Sequence, residues 1–197
     1  MRKWLLKQFE WYRGLILRLK TRRGFLFYKD KDMQLYEKYV TETVDEKTGR
    51  LTKIDFHIPD DFNFGFDVVD FWGKNTPDKT ALLWVGEHHE EKTFTFSDMM
   101  RLTNKTANYF RSLGIKKGDR VMLILRRHYQ FWFSIVALHK IGAIVLPATD
   151  QLMNKDLIYR FNLAGVSAVV ISSTGSIVDE AEKAFEQCDV KTKILVG

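Results

Sequence analysis

From residue 120 to the end, short runs that are apolar throughout alternate with longer amphipathic stretches. The runs are RVMLIL (120–125), AIVLP (143–147), SAVVIS (167–172) and KILVG (193–197). A strand with apolar side chains on both sides of its pleat must be covered on both faces. That happens in parallel sheets, whose strands need crossovers long enough to hold a helix. The intervening stretches 129–141, 154–164 and 177–187 supply those helices, with Phe131, Ile135, Leu138 and Ile141 among the expected buried positions of the first. The expectation is an α/β fold: a doubly wound, mostly parallel sheet with flanking helices. Strand order is not set by this pattern. The last run reaches Gly197, and a buried parallel strand normally continues into a further element, so the domain reads as truncated.

Upstream, the texture is different. Residues 3–20 read as a basic amphipathic helix and 30–40 as a second short helix. DEKTGR (45–50) reads as a turn and LTKIDFHIP (51–59) as an extended run. A helix carrying Phe66, Val69, Phe71 and Trp72 should stop near Thr76, because the residue before Pro77 avoids the helical region. ALLWV (81–85) and KTFTF (92–96) flank a polar turn and form a small hairpin. Ser97 is placed to cap a helix over 98–113, closed by Gly114, with Met99, Leu102, Ala107, Phe110 and Leu113 facing the core. The division expected is a basic, helical N-terminal segment, 1–45, ahead of one larger domain, 46–197.

Charge narrows the function classes. The chain of 197 residues carries a net charge of +6. Residues 1–28 hold eight basic side chains against Glu10 alone, so the remainder is close to neutral. A nucleic-acid-binding face should be spread over the folded domain, and here it is not. Two readings of residues 1–28 stay open: packing on the domain or a partner subunit, and weak, salt-sensitive contact with an anionic membrane surface. The single cysteine, Cys188, forms no internal disulfide and suits a reducing compartment, the cytoplasm being the expected one.

Local motifs give little chemistry. ISSTGS (171–176) is a Ser/Gly turn between a strand and a helix, a usual place for phosphate. It lacks the lysine of a GxxxxGK[ST] loop and reads as a turn with Ser/Thr capping. His88, His89, Glu90 and Glu91 are consecutive and diverge on a hairpin tip, so they make no metal site. His57, His128 and His139 have no Ser or Cys at a recognisable motif spacing. No residue is assigned to catalysis and none to a metal. Arg126-Arg127-His128 and Pro147 to Gln151 follow strands at their carboxyl ends, where open α/β sheets bind ligands.

The longer runs carry a resemblance. FTFSDMMRLTNKTANYFRSLGIKKGDRVMLIL and FWFSIVALHKIGAIVLPAT resemble the opening of adenylate-forming, AMP-binding enzymes. FNFGFDVVDFW (62–72) and PATDQLMNKDLIYR (147–160) are similar to medium-chain acyl-CoA synthetases among them. The resemblance implies an acid–thiol ligase that uses ATP, Mg²⁺ and CoA to turn a carboxylic acid into acyl-CoA, AMP and pyrophosphate. It also implies that the phosphate loop and C-terminal lysine lie beyond residue 197, so that this chain alone is catalytically incomplete and prone to self-association. It places one contact here, Gln151 on CoA, two residues after Thr149 of Pro147-Ala148-Thr149. Asp150 departs from the family, which usually has an apolar residue there. The competing expectation is a non-catalytic binding or scaffold module built on the same fold.

Overall fold

The computed structural model describes residues 35–197, and its contacts divide them into a unit ending at Asp60 and a unit Asp61–Gly197. The basic helix expected over 3–20 lies outside the described residues. In the first unit a 3-10 turn, Leu35–Lys38, leads into β1 (Val40–Val44), which pairs antiparallel with β2 (Leu51–Phe56). Where it is described, the expected second helix over 30–40 is that short 3-10 turn, and Val40 already belongs to the strand. VTETV alternates β-branched with polar residues, a strand pattern with no helical stripe. The turn between the strands is tied by Asp45, whose Oδ1 accepts from the backbone N–H of Thr48 at 2.6 Å and of Lys47 at 3.0 Å.

The second unit opens with a π-helical segment, Phe64–Asp70, that runs straight into α1 (Phe71–Asn75). Asn63 starts it: its Oδ1 accepts from Gly65 N–H at 3.0 Å, and its Nδ2 donates to the His139 carbonyl at 2.8 Å. Gly65 is required by proximity, since a Cβ there would sit 2.4 Å from Cγ of Lys140. α1 ends before Pro77, as expected. The hairpin β3 (Thr80–Val85) and β4 (Glu91–Thr95) follows.

α2 (Phe96–Ser112) is capped by Thr95 and not by Ser97. Thr95 Oγ1 accepts from Asp98 N–H at 3.2 Å, and Asp98 Oδ2 accepts from Thr95 N–H at 3.2 Å. Met99, Ala107 and Phe110 are buried and Leu102 half-buried, but Leu113 is exposed, because it is the C-cap residue, past the last full turn.

Then β5 (Arg120–Ile124), α3 (Gln130–Ile141), β6 (Ile144–Pro147), α4 (Asn154–Ala164), β7 (Ala168–Ser172), α5 (Ile177–Phe185) and β8 (Thr192–Val196) alternate. The four strands form one parallel sheet in the order β6-β5-β7-β8. The pleat sorts the core. Val121, Leu123, Ala168 and Val170 meet Phe110, Ala137 and Leu138 on one face. Met122, Ile124, Val169 and Ile171 meet Leu157, Phe161, Ile177 and Ala181 on the other. α2 and α3 thus cover one side, and α4 and α5 the other, as a doubly wound sheet requires. Each large side chain fully buried in this way contributes about 1.5–3 kcal/mol. Full coverage holds for the two central strands. At the edges it lapses: Lys193 and Leu195 of β8 and Ile144 of β6 are exposed.

A buried ion pair sits between the helical elements on one side of the sheet. Lys140 on α3 places Nζ 2.6 Å from Asp70 Oδ1, 2.8 Å from Thr103 Oγ1 and 2.7 Å from Asn104 Oδ1. All three ammonium donors are used, which ties the π-helical segment, α2 and α3 together. Burial pushes the lysine below its ordinary value, and Asp70 opposes that.

Candidate functional site

Strand order creates the site. The connection leaving β5 runs to β6 on one side of the sheet, and the connection leaving β7 runs to β8 on the other. Outgoing loops that part in this way leave a crevice between the carboxyl ends of β5 and β7, the usual ligand position in open α/β sheets. A cleft of about 450 Å³ lies there, lined by Arg126, Asp150, Gln151, Thr174, Gly175, Ser176 and Ile177. Three loops meet in it, one after each of β5, β6 and β7.

The loop after β5 is fixed residue by residue. Arg127 takes a positive φ of 44°, and its carbonyl accepts from the indole N–H of Trp84 on the hairpin. The His128 ring packs Nε2 2.8 Å from Ser172 Oγ, at the end of β7. Tyr129 stacks its edge on Trp84 and Phe133 and lies against Phe94. With those three positions held, Arg126 projects across the cleft. Its Nη2 reaches Glu87 Oε1 at 3.3 Å and its Nε reaches Asp150 Oδ2 at 3.7 Å.

Gln151 lies in the loop that follows β6, at the carboxyl end of a parallel strand. It is exposed and lines the cleft. Its backbone N–H donates to Thr149 Oγ1 at 3.3 Å, and its side-chain amide makes no hydrogen bond among the described residues. Asp150 is answered by Arg126, so the cleft carries one cation and one anion, with the Thr174 and Ser176 hydroxyls nearby.

ISSTGS is a strand-to-helix turn, but not through Ser/Thr capping. Ser176 makes no side-chain cap bond. Ser172, fully buried, is held by His128 and lies 3.1 Å from Thr174 Oγ1. Motif spacing could not reveal the His128–Ser172 pair, because 44 residues separate them. Ser172 is closed off from solvent, so the pair ties β5 to β7 and offers no nucleophile. His139 is kept below its ordinary value by burial, beside the edge of Phe64. Burial pushes the half-buried Cys188 thiol up, away from thiolate chemistry. His88 to Glu91 form the hairpin tip, where Glu90 Oε2 accepts from His88 N–H at 3.0 Å. Among the described residues no three His, Cys, Asp or Glu side chains are grouped to hold a metal. No step through Mg²⁺ is assigned to these residues.

A larger cavity, about 810 Å³, opens at the amino end of β5 and is lined by Arg111, Lys116 and Lys117. Those cations gather at the carboxyl end of α2, where they offset the helix dipole. The smaller cleft, at the switch point of the sheet, is the stronger candidate.

The profile of the family described as AMP-binding enzyme matches residues 69–197. Mouse acyl-coenzyme A synthetase ACSM1, mitochondrial, is 37% identical over 151 residues, covering 73% of this chain and 26% of the relative. The human protein of the same name is 33% identical with the same coverage. Human acyl-coenzyme A synthetase ACSM5, mitochondrial, is 29% identical across 95% of this chain and 33% of its own length. The chain thus spans about a quarter to a third of the curated relatives it matches. Among solved structures, the long-chain-fatty-acid-CoA ligase FadD1 of Archaeoglobus fulgidus superposes with a TM-score of 0.64 at 19% identity, over 73% of this chain and 29% of that one. A Mycobacterium tuberculosis fatty acyl CoA synthetase gives 0.60 at 22%, over 68% and 26%. At these identities the structures report the fold alone, and they agree with the doubly wound sheet.

Proposed function

The chain belongs to the AMP-binding enzyme family, and on that premise we propose that it is the leading part of an acyl-CoA synthetase, with the unit of residues 61–197 contributing the coenzyme-facing wall. The reaction has two halves. A carboxylate oxygen attacks the α-phosphorus of ATP, forming acyl-AMP and expelling pyrophosphate. The CoA thiol, losing its proton, then attacks the acyl carbon and releases AMP. The segment PATDQLMNKDLIYR supports membership among acyl-CoA synthetases and does not by itself set the length of the acid.

One observation supports the reading: Gln151 is exposed and lines the switch-point cleft, and its side-chain amide has no hydrogen bond among the described residues. An amide there can donate to a phosphate or carbonyl oxygen of CoA and accept from an amide N–H. The residues that would hold the transferring phosphate have no counterpart in this sequence, which contains no Gly/Ser/Thr loop ending in lysine. Such preorganised donors usually supply the largest single share of catalysis. The 197 residues by themselves therefore bind coenzyme weakly and do not turn over.

The test uses the 197-residue chain and amide NMR. Millimolar CoA should shift the Gln151 signals, and acid-dependent pyrophosphate release should be absent. Turnover by the purified chain, or CoA shifts confined to other surfaces, would contradict the proposal.

Compartment is a separate matter. Among the described residues no helix is long and apolar enough to cross a membrane. The lone cysteine suits the cytoplasm, and the mitochondrial matrix meets the same redox requirement. The curated relatives are named mitochondrial, and residues 1–28 are rich in Arg and Lys with one acid, a composition found in mitochondrial leaders. Imaging a fluorescent fusion with and without residues 1–28 separates the two compartments.

A further inference from the structure

We propose that Arg126 is a specificity-determining cation with an exchangeable partner, held by Asp150 and Glu87 and released to the phosphate ester of an anionic ligand. The inference rests on the coenzyme reading of the cleft and adds to it the residue that would read the ligand's charge.

The geometry supports this in three ways. First, among the described residues Arg126 is the one cation lining the cleft, and Asp150 the one anion. Second, both ion pairs are long and at least partly open to solvent. The distances are 3.3 Å to Glu87 and 3.7 Å to Asp150, with side chains 51% exposed for Arg126, 60% for Glu87 and 28% for Asp150. Exposed pairs of this kind contribute little, so a better partner displaces them readily. Third, the backbone under Arg126 cannot follow its side chain. Arg127 is fixed through Trp84, His128 through Ser172 and Tyr129 by aromatic packing. A guanidinium on a rigid turn offers a pre-set fork that matches phosphate bidentately.

Asp150 gains a role from this. An uncompensated aspartate in the cleft would repel any phosphate. Paired with Arg126, it lowers the attraction for weak or singly charged anions and yields to a phosphomonoester dianion. The pair thus acts as a filter on ligand charge, because specificity can be set by an internal competitor as well as by an attraction.

The experiment titrates the full 197-residue chain with CoA and with 3′-dephospho-CoA, following the Arg126 Nε–H and Gln151 side-chain NMR signals. CoA should shift both. Asp150→Asn should tighten CoA by roughly fivefold, and Arg126→Gln should weaken it by a similar factor. Neither substitution should change binding of 3′-dephospho-CoA by as much as twofold, a ligand dependence that a merely structural role would not produce. If Asp150→Asn and Arg126→Gln leave CoA affinity unchanged while Gln151→Ala weakens it, the filter is overturned and the coenzyme reading stands. If CoA shifts neither signal, the coenzyme reading fails and the filter with it. Equal effects of the two substitutions on both ligands would also overturn the filter.

Discussion

At the scale of single residues, Lys140 and Gln151 show what a sequence conceals and what it displays. Lys140 lies in a familiar-looking run, HKIGA, but nothing local shows that its ammonium is buried. Its side chain is 1% exposed, and it is matched by Asp70, 70 positions away. Only the fold brings the π-helical segment and α3 together. Lys140→Met leaves the Asp70 carboxylate buried without its partner. Removing one member of a buried pair costs about 3–5 kcal/mol. Urea denaturation should show a fall of that size, and a change under 1 kcal/mol would mean that the cluster is dispensable. Gln151 was legible because its position follows from strand periodicity plus the resemblance. In a complete enzyme carrying this segment, Gln151→Ala should raise KM for CoA and leave adenylate formation nearly unchanged. One lost hydrogen bond to a charged ligand is worth roughly 1.5–3 kcal/mol. Steady-state kinetics with CoA varied, beside ATP–pyrophosphate exchange, separates the two effects.

At the scale of elements, existence and type were legible from the hairpin onward, and ends were not. Thr95 and Ser97 both precede an apolar helical stripe, and both can cap. Phe96 decides between them: read as a strand residue it points to Ser97, but its side chain belongs to the helix and packs on Trp72. Asp98 then sits three residues from the cap and closes the box on Thr95. Thr95→Ala should destabilise the fold by about 1 kcal/mol, whereas Ser97→Ala should be nearly silent. Thermal denaturation of both variants decides the cap. The same box has a pH signature. Asp98 is held below its ordinary value of 3.8, first by the Thr95 backbone N–H and then by Arg101. A depressed carboxyl contributes stability that is complete above its unfolded value and is lost as pH falls through the lowered folded one. Asp98→Asn should therefore flatten the acid limb of the stability curve below about pH 4, and an unchanged limb would place the acid sensitivity elsewhere. β1 was missed for another reason: VTETV is short and polar, and its partner β2 supplies the pairing that defines it as a strand.

At the scale of the whole molecule, the alternation after residue 120 foretold a parallel sheet and its two helical layers. It could not foretell the order β6-β5-β7-β8, because order depends on which way each crossover turns. That order is what makes the switch-point cleft, so the sequence located the three loops without showing that they meet. Among the described residues β8 pairs only with β7, and Leu195 is 61% exposed on it. An open edge strand with an apolar side chain invites pairing between copies. Leu195→Lys should shift the light-scattering mass of the chain toward that of a monomer, and an unchanged mass would put any association on another surface. On the proposed function, this sheet and its cleft form the coenzyme-facing start of an acyl-CoA synthetase. The most direct test is a chimera in which residues 69–197 replace the matched segment of the mouse relative, assayed by mass spectrometry for acyl-CoA formed from a carboxylic acid, ATP and CoA. The chimera should turn over, and Gln151→Ala should lower its turnover through a raised KM for CoA. A folded chimera that forms acyl-adenylate at the parent's rate but cannot pass the acyl group to CoA would contradict that function.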